Sequence, residues 1–157
     1  MSYEASTIMK APVISISPEA SLEEAINLLA ENKVSGLPVV DAEKKVVGII
    51  TEKDIVDYAS SVHVIPLIGT SGWVSPHMEV TDMNDFRRGF ENLPNVKVEK
   101  VMTARPVTVK ESVYIIEVPR LMKKKDVNRI PVVDEDGKLT GIITRADLVN
   151  YLVEREG

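Results

Sequence analysis

Apolar and polar positions in the first sixty residues follow a helical period in one segment. Four apolar residues recur three or four positions apart and predict a helix with one buried face: Leu22, Ala25, Ile26 and Leu29. Ser21, with Glu24 three residues later, is typical of the capping arrangement at a helix N-terminus. The helical pattern ends within residues 32–36, so the predicted helix covers about three turns.

Short apolar runs flank this helix and predict strands. Two of them, 37–40 and 46–50, are separated by the polar turn 41–45 and predict a β-hairpin. A second helix is expected to begin at Thr51, and a β-prone run at 13–16 precedes the first helix. The predicted order of elements is therefore β-α-β-β-α.

The later part of the chain repeats the first at an offset of 93 residues. The matching segments are Pro38-Val39-Val40-Asp41 with Pro131-Val132-Val133-Asp134, Gly48-Ile49-Ile50-Thr51 with Gly141-Ile142-Ile143-Thr144, and Ile8-Met9 with Val101-Met102. Self-similarity of this kind indicates a duplicated unit. We predict a first unit over residues 1–60, an insertion or linker over 61–98, and a second unit over 99–157.

The second unit is expected to repeat the same elements. They are a strand at 107–109, a helix through Met122, strands at 130–133 and 139–143, and a helix from Thr144 to about Glu154. Pro119 lies within the first of these helices, where proline removes a backbone hydrogen bond, so that helix is expected to start late or to kink. Within the insertion, residues 81–92 predict a short helix, and the apolar run 62–68 is expected to cover a sheet edge or a subunit contact.

Composition limits the class of protein. Hydrophobic residues are 44% of the 157 and charged residues 27%, which is typical of a globular protein with a real core. The chain has 19 Lys and Arg residues and 24 Asp and Glu residues, so its formal net charge is 19 − 24 = −5. This acidic balance disfavours a protein that binds nucleic acid without regard to sequence. There is no cysteine, no apolar run long enough for a membrane span, and no signal-peptide pattern in 1–10. A soluble, cytoplasmic protein is expected.

The chemistry of the chain is concentrated where each hairpin runs into the following helix. Thr51 precedes Asp54 by three residues, and Thr144 precedes Asp147 in the same way. One interpretation is structural, because Thr-x-x-Asp is a variant capping box. The other is functional: helix amides and a hydroxyl can hold a phosphate, and a carboxylate can accept both hydroxyls of a ribose. Arg129, just before a strand, is the candidate cation for that phosphate.

The first copy has no such cation, since Gly36 stands where the second copy has Arg129. The two candidate sites are therefore chemically unequal. One occupied site is expected rather than two. That site is expected at the start of the last helix, with Thr144 and Asp147 holding the ligand and Arg129 neutralising its phosphate.

These motifs resemble tandem CBS domains, the paired module named after cystathionine β-synthase. The resemblance is carried by two copies of Pro-Val-Val-Asp, two of Gly-Ile-Ile-Thr-x-x-Asp, and a Met shortly before a Pro-Val in each unit, and it covers nearly all of the chain outside the insertion. It implies an α/β (α+β) fold of two β-α-β-β-α units related by a pseudo-twofold axis, with two clefts between them. It also implies a homodimer associated through the helices at 51–58 and 144–151.

The resemblance further implies an adenosine ligand: AMP, ADP, ATP or S-adenosylmethionine. In this family the Thr and Asp of the motif contact phosphate and ribose, and a basic residue before the second strand meets phosphates. Segments 11–16 and 105–109 are expected to hold the adenine. The candidate ligand-binding residues are Thr144, Asp147, Arg129, Asn128, Thr51, Asp54, Ser35, Pro106, Val107 and Ile16. No cofactor, metal site or catalytic residue is expected.

Two other functions are disfavoured by the sequence, and a third is an alternative. An enzyme is disfavoured because His63, His77, Asp82 and Asp85 match no metal-ligand or acid–base spacing. Nucleic-acid binding is disfavoured because Lys123-Lys124-Lys125 falls at a helix end, where cations suit the helix dipole. A dimerising scaffold that binds no ligand is the remaining alternative to a regulatory module that senses cellular energy and signals to an effector protein. The sequence does not identify that effector.

Overall fold

A computed structural model describes residues 3–60 and 93–156 of the chain, with side chains to residue 154. The predicted helix at 81–92, the apolar run 62–68 and the residues His63, His77, Asp82 and Asp85 lie outside the described residues. In the described part, no helix is long and apolar enough to cross a membrane.

The first unit has four of the five predicted elements, in the predicted order. Helix α1 (Leu22–Asn32) is followed by strands β1 (Gly36–Val40) and β2 (Val46–Thr51) and by helix α2 (residues 52–60). The Ser21 hydroxyl accepts a hydrogen bond from the Glu24 amide at 3.1 Å, as the capping pattern predicts. Strands β1 and β2 pair antiparallel, which confirms the hairpin.

The second unit repeats these elements with a shorter first helix. Its helices are α3 (Glu117–Lys125) and α4 (Arg145–Glu156), and its strands β5 (Arg129–Val133) and β6 (Leu139–Thr144) form the second hairpin. Because α1 begins at Leu22, the offset of 93 would start α3 at residue 115, two residues before its actual start. Pro119 therefore falls in the first turn, where a helix needs no amide hydrogen, and the expected late start is confirmed.

Each sheet has three strands, and a short strand of the later sequence completes the first sheet. Strand β3 (Thr103–Ala104) pairs antiparallel with β2, whereas β4 (Val109–Lys110) pairs parallel with β5. The strand predicted at 107–109 therefore begins two residues later, at Val109, and ends one residue later, at Lys110. The strand predicted at 13–16 is reduced to one bridge, between Ile16 and Val39.

The residues at the beginning of each unit pack against the core of the other unit. Val98, Val101 and Met102 join the first core, around Leu37 and Ile50. Ala5, Ile8 and Met9 join the second core, around Ile130 and Ile143. Each hydrophobic core therefore contains residues from both sides of the predicted boundary between residues 98 and 99.

A paired glycine and methionine mark the same contact in both units. A Cβ atom at Gly48 would collide with the Met102 side chain, and one at Gly141 would collide with Met9. Because both thioethers lie directly on strand backbone, larger residues at these glycines would overpack the site. This contact explains why the Met and the Gly-Ile-Ile-Thr segments repeat together.

Candidate functional site

The described residues enclose a cavity of about 600 Å³ between the two units. This volume is within the usual range for small-molecule sites. Seven of the ten candidate ligand-binding residues line it: Ser35, Thr51, Asp54, Pro106, Val107, Asn128 and Arg129. The other three do not line it. Ile16 is a core residue with 5% exposure, and Thr144 and Asp147 belong to the second copy of the turn.

The Thr51–Asp54 turn forms one wall of the cavity. The Asp54 Oδ2 atom accepts hydrogen bonds from the Thr51 amide at 3.0 Å and from the Thr51 hydroxyl at 2.9 Å. The Asp54 amide donates back to the Thr51 hydroxyl at 3.2 Å. This reciprocal set is a complete capping box, so the structural interpretation of Thr-x-x-Asp is correct for its internal bonds. Only Oδ1 faces a separate partner, the Thr103 hydroxyl at 3.3 Å.

Arg129 reaches across from the second unit to this wall. Its Nη2 donates to the Ser35 hydroxyl at 2.6 Å, and its guanidinium covers Gly36 so closely that a Cβ atom there would collide with it. Burial of the half-buried guanidinium lowers the pKa of Arg129 from its ordinary value, and the nearby Glu52 and Asp54 carboxylates oppose that shift. An arginine remains protonated under these conditions, so the cavity holds a partly desolvated positive charge.

The prediction that Arg129 neutralises the phosphate of a ligand held by Thr144 and Asp147 is wrong. Arg129 is the cross-strand neighbour of Thr144 in the hairpin, but its side chain extends to Ser35 and the first turn. Gly36 has no side chain, and its place is taken by the guanidinium. Gly36 therefore makes room for the Arg129 guanidinium beside the first turn, although in the sequence it marks the copy that has no cation of its own.

The second turn has the same internal bonds and a different outer partner. Asp147 Oδ2 accepts from the Thr144 amide at 2.8 Å and from the Thr144 hydroxyl at 3.0 Å. Its Oδ1 atom forms an ion pair with Lys10 Nζ at 3.2 Å. Asp147 is buried, with 6% exposure, whereas Asp54 is only partly buried.

Some residues that line the cavity were not among the predicted contacts: Lys53, Lys125, Ile49 and Thr103. Arg105, Pro106 and Val107 also line it, and they belong to the segment 105–109 that was expected to hold the adenine. Besides Arg129, three cations therefore border the cavity, Lys53, Arg105 and Lys125, and Ile49, Pro106 and Val107 supply apolar surface. Lys125 belongs to the run of lysines at the end of α3, and no pattern in the sequence distinguishes it from Lys123 and Lys124. In the described residues there is no group of three or more His, Cys, Asp or Glu side chains placed to hold a metal ion.

Two stretches, residues 5–61 and 98–154, match the CBS domain family. The chain belongs to the CBS domain family. Both Thr-x-x-Asp turns lie within the matched stretches, and the resemblance seen in the sequence is confirmed. The fold, two three-stranded sheets with four helices among the described residues, also agrees with CBS-pair structures.

Related CBS pairs resemble the whole chain. An uncharacterised protein of Methanocaldococcus jannaschii is 33% identical over 150 residues, which are 93% of this chain and 89% of that protein. CBSX2 is a CBS-pair protein from Arabidopsis thaliana. Its crystal structure in complex with AMP has a TM-score of 0.73 and 27% identity, with 99% of each chain covered. The chain spans 58% of the length of the curated chloroplastic CBSX2.

A second structure contains other adenosine compounds. The CBS domain pair of protein MJ0100, in complex with 5′-methylthioadenosine and S-adenosyl-L-methionine, has a TM-score of 0.70 and 25% identity. The superposition covers 95% of this chain and 98% of that one. These neighbours are CBS pairs that bind adenosine compounds.

Proposed function

We propose that this CBS pair is a regulatory module that binds an adenosine nucleotide in the Arg129 cavity. The main support for this proposal is that the half-buried Arg129 guanidinium and the Thr51–Asp54 helix start line the same cavity. A cation beside a helix N-terminus favours a phosphate, and a neighbouring carboxylate favours a sugar diol.

Different parts of the cavity lining would contact the phosphate, the ribose and the base of a nucleotide. The phosphate would lie against Arg129 beside the start of α2, where Lys53 adds positive charge. The ribose hydroxyls would donate to Asp54 Oδ1, whose bond to Thr103 at 3.3 Å is long and easily exchanged. The base would pack on apolar surface contributed by residues 49, 106 and 107.

The solved neighbours support an adenosine ligand, since one contains AMP and another S-adenosyl-L-methionine. The cavity favours the phosphorylated candidates, AMP, ADP and ATP. Four cations line it, Lys53, Arg105, Lys125 and Arg129, against three carboxylates, Glu52, Asp54 and Asp126. A sulfonium ligand would bring a further positive charge to Arg129.

A ligand in this cavity would couple the two units. Ser35 and Thr51 belong to the first unit and Asn128 and Arg129 to the second, so a ligand held by both fixes their relative orientation. Binding that favours one orientation shifts the population toward it, and an effector protein that distinguishes orientations would read the change. In this proposal the chain regulates and does not itself catalyse a reaction.

The dimerising scaffold remains the alternative. Its support is that both capping boxes are complete within the chain, so neither turn needs a ligand to satisfy its polar groups. The two functions differ in whether adenosine compounds stabilise the fold.

Thermal unfolding with a panel of AMP, ADP, ATP and S-adenosylmethionine tests the proposal. A ligand at one hundred times its dissociation constant adds about 2.7 kcal/mol to the free energy of unfolding, which raises the midpoint by several degrees. We expect the phosphorylated compounds to produce this shift and GMP, which keeps the ribose and the phosphate and changes only the base, to produce less. No shift with any of the four adenosine compounds would favour the scaffold.

We also propose that the chain forms a homodimer through α2 and α4. Four apolar side chains on these helices are exposed by more than half, Val56, Val149, Leu152 and Val153. Leu152→Glu is expected to convert the dimer to a monomer in light scattering after gel filtration, because a charge would be buried in the contact. Ile116→Glu, which changes an equally exposed apolar residue outside both helices, is the control. A wild-type monomer would contradict the proposal.

A further inference from the structure

The two Thr-x-x-Asp turns differ at the carboxylate oxygen that a ribose would use. In the first turn, Asp54 Oδ1 faces the neutral hydroxyl of Thr103 at 3.3 Å. In the second turn, Asp147 Oδ1 faces the ammonium group of Lys10 at 3.2 Å. Residues 10 and 103 are equivalent under the offset of 93, so the same position carries different chemistry in the two copies.

Backbone hydrogen bonds hold Lys10 at this position. Its amide donates to the Ile142 carbonyl at 2.9 Å, and the Ile142 amide donates to the Lys10 carbonyl at 3.1 Å. Thr103 is paired with Ile49, the equivalent of Ile142, in the first sheet. Position 10 is therefore fixed beside the strand that leads into the second turn, as position 103 is beside the first.

The ion pair closes the second turn to competing ligands. The Lys10 side chain is 72% exposed, but the carboxylate it contacts is only 4% exposed. A diol that reached Asp147 Oδ1 would have to displace a cation from a buried anion, whereas at Asp54 it would displace only a long bond between neutral and charged groups. The second turn also lacks a guanidinium, because Gly36 stands at the position equivalent to Arg129.

We propose that Lys10 determines the ligand stoichiometry of this chain by occupying the ribose acceptor of the second turn. The wild-type protein then binds one nucleotide, in the Arg129 cavity. This inference rests on the proposed adenosine site, and it adds a residue that selects which of the two copies is used.

Equilibrium dialysis with labelled AMP on the full chain counts the ligands bound. The variants are Lys10→Thr, which installs the residue of the first copy, and Lys10→Gln, which keeps the length of the side chain without its charge. Lys110→Thr is the control, because Lys110 pairs with Glu135 at 2.7 Å where both side chains are exposed. Circular dichroism on each variant establishes that it is folded, and Lys10→Gln serves if Lys10→Thr is not.

We expect one AMP per chain for the wild type and for Lys110→Thr, and two for Lys10→Thr. The second site should be about 10- to 100-fold weaker than the first, because it lacks the charged hydrogen bonds of an arginine. Titration must therefore extend to about one thousand times the first dissociation constant, where a site 100-fold weaker is about nine-tenths occupied.

The outcomes separate this inference from the proposed function. One AMP per chain in both the wild type and the Lys10 variants would overturn the role of Lys10 and leave the Arg129 site intact. Two AMP in the wild type would also overturn it. No AMP in the wild type and one in Lys10→Thr would support the role of Lys10 while contradicting the Arg129 site. No binding in any chain would overturn both.

Discussion

Arg129→Gln is expected to weaken AMP binding about 10- to 100-fold, because it removes the charged hydrogen bonds to the phosphate. The binding of adenosine, which has no phosphate, should change by less than about threefold. Isothermal titration of both compounds against the wild type and the variant measures the two effects. The fold should be preserved, since the guanidinium makes a hydrogen bond to Ser35 and fills no apolar core.

Arg120→Gln is the matched control for this result. Arg120 also lies in the second unit, but it pairs with Glu117 on the outer face of α3 with 68% of its side chain exposed, and it does not line the cavity. Its AMP affinity should equal that of the wild type. Equal losses in the two variants would mean that general charge, and not the position of Arg129, governs binding.

Asp147→Ala is expected to lower the free energy of unfolding by about 2–4 kcal/mol. The buried carboxylate accepts from the Thr144 amide and hydroxyl and pairs with Lys10, so its removal leaves two partly buried donors of Thr144 without their acceptor. Asp54→Ala removes the equivalent cap from a partly buried turn, and its cost should be nearer 1 kcal/mol. Urea denaturation of both variants gives the comparison.

Ligand affinity should follow the opposite order. Asp54→Ala is expected to reduce AMP binding strongly, whereas a folded Asp147→Ala chain should bind AMP as the wild type does. The duplication thus supplies its own control, with the same substitution in the same motif. Greater loss of AMP binding in Asp147→Ala than in Asp54→Ala would show that the nucleotide uses the second turn.

Local patterns were sufficient to predict the hairpins and most helices. The helical spacing around Leu29, the cap at Ser21 and the two apolar runs of each unit depend on neighbours close in sequence, and all appear in the structure. The late start of α3 also followed from one local property, the missing amide hydrogen of Pro119. Strand β3 was missed because two residues carry no periodicity, and because its partner β2 lies more than fifty residues earlier.

Most of the predicted site residues line the cavity, but the prediction of which of them lie together was wrong. Seven of the ten residues line one cavity, but Arg129 serves the first turn rather than the second. The repeat offset relates equivalent backbone positions and carries no information about where a long side chain ends. The deciding feature was the space over Gly36, which depends on how the two units pack.

Lys10 illustrates the same limit. In the sequence it is one lysine near the N-terminus, and nothing local links it to Asp147. Only the pairing of Lys10 with Ile142 places its ammonium on that carboxylate. The repeat offset of 93 makes Lys10 and Thr103 equivalent, but only the structure shows that each contacts the Asp of one turn.

A crystal structure of the chain grown with AMP would show whether the Arg129 cavity holds the nucleotide. We expect AMP density between the two units, with phosphate oxygens within hydrogen-bond distance of the Arg129 guanidinium and a ribose hydroxyl on Asp54 Oδ1. Density against Thr144 and Asp147 with Lys10 displaced, or an empty Arg129 cavity at saturating AMP, would contradict this expectation.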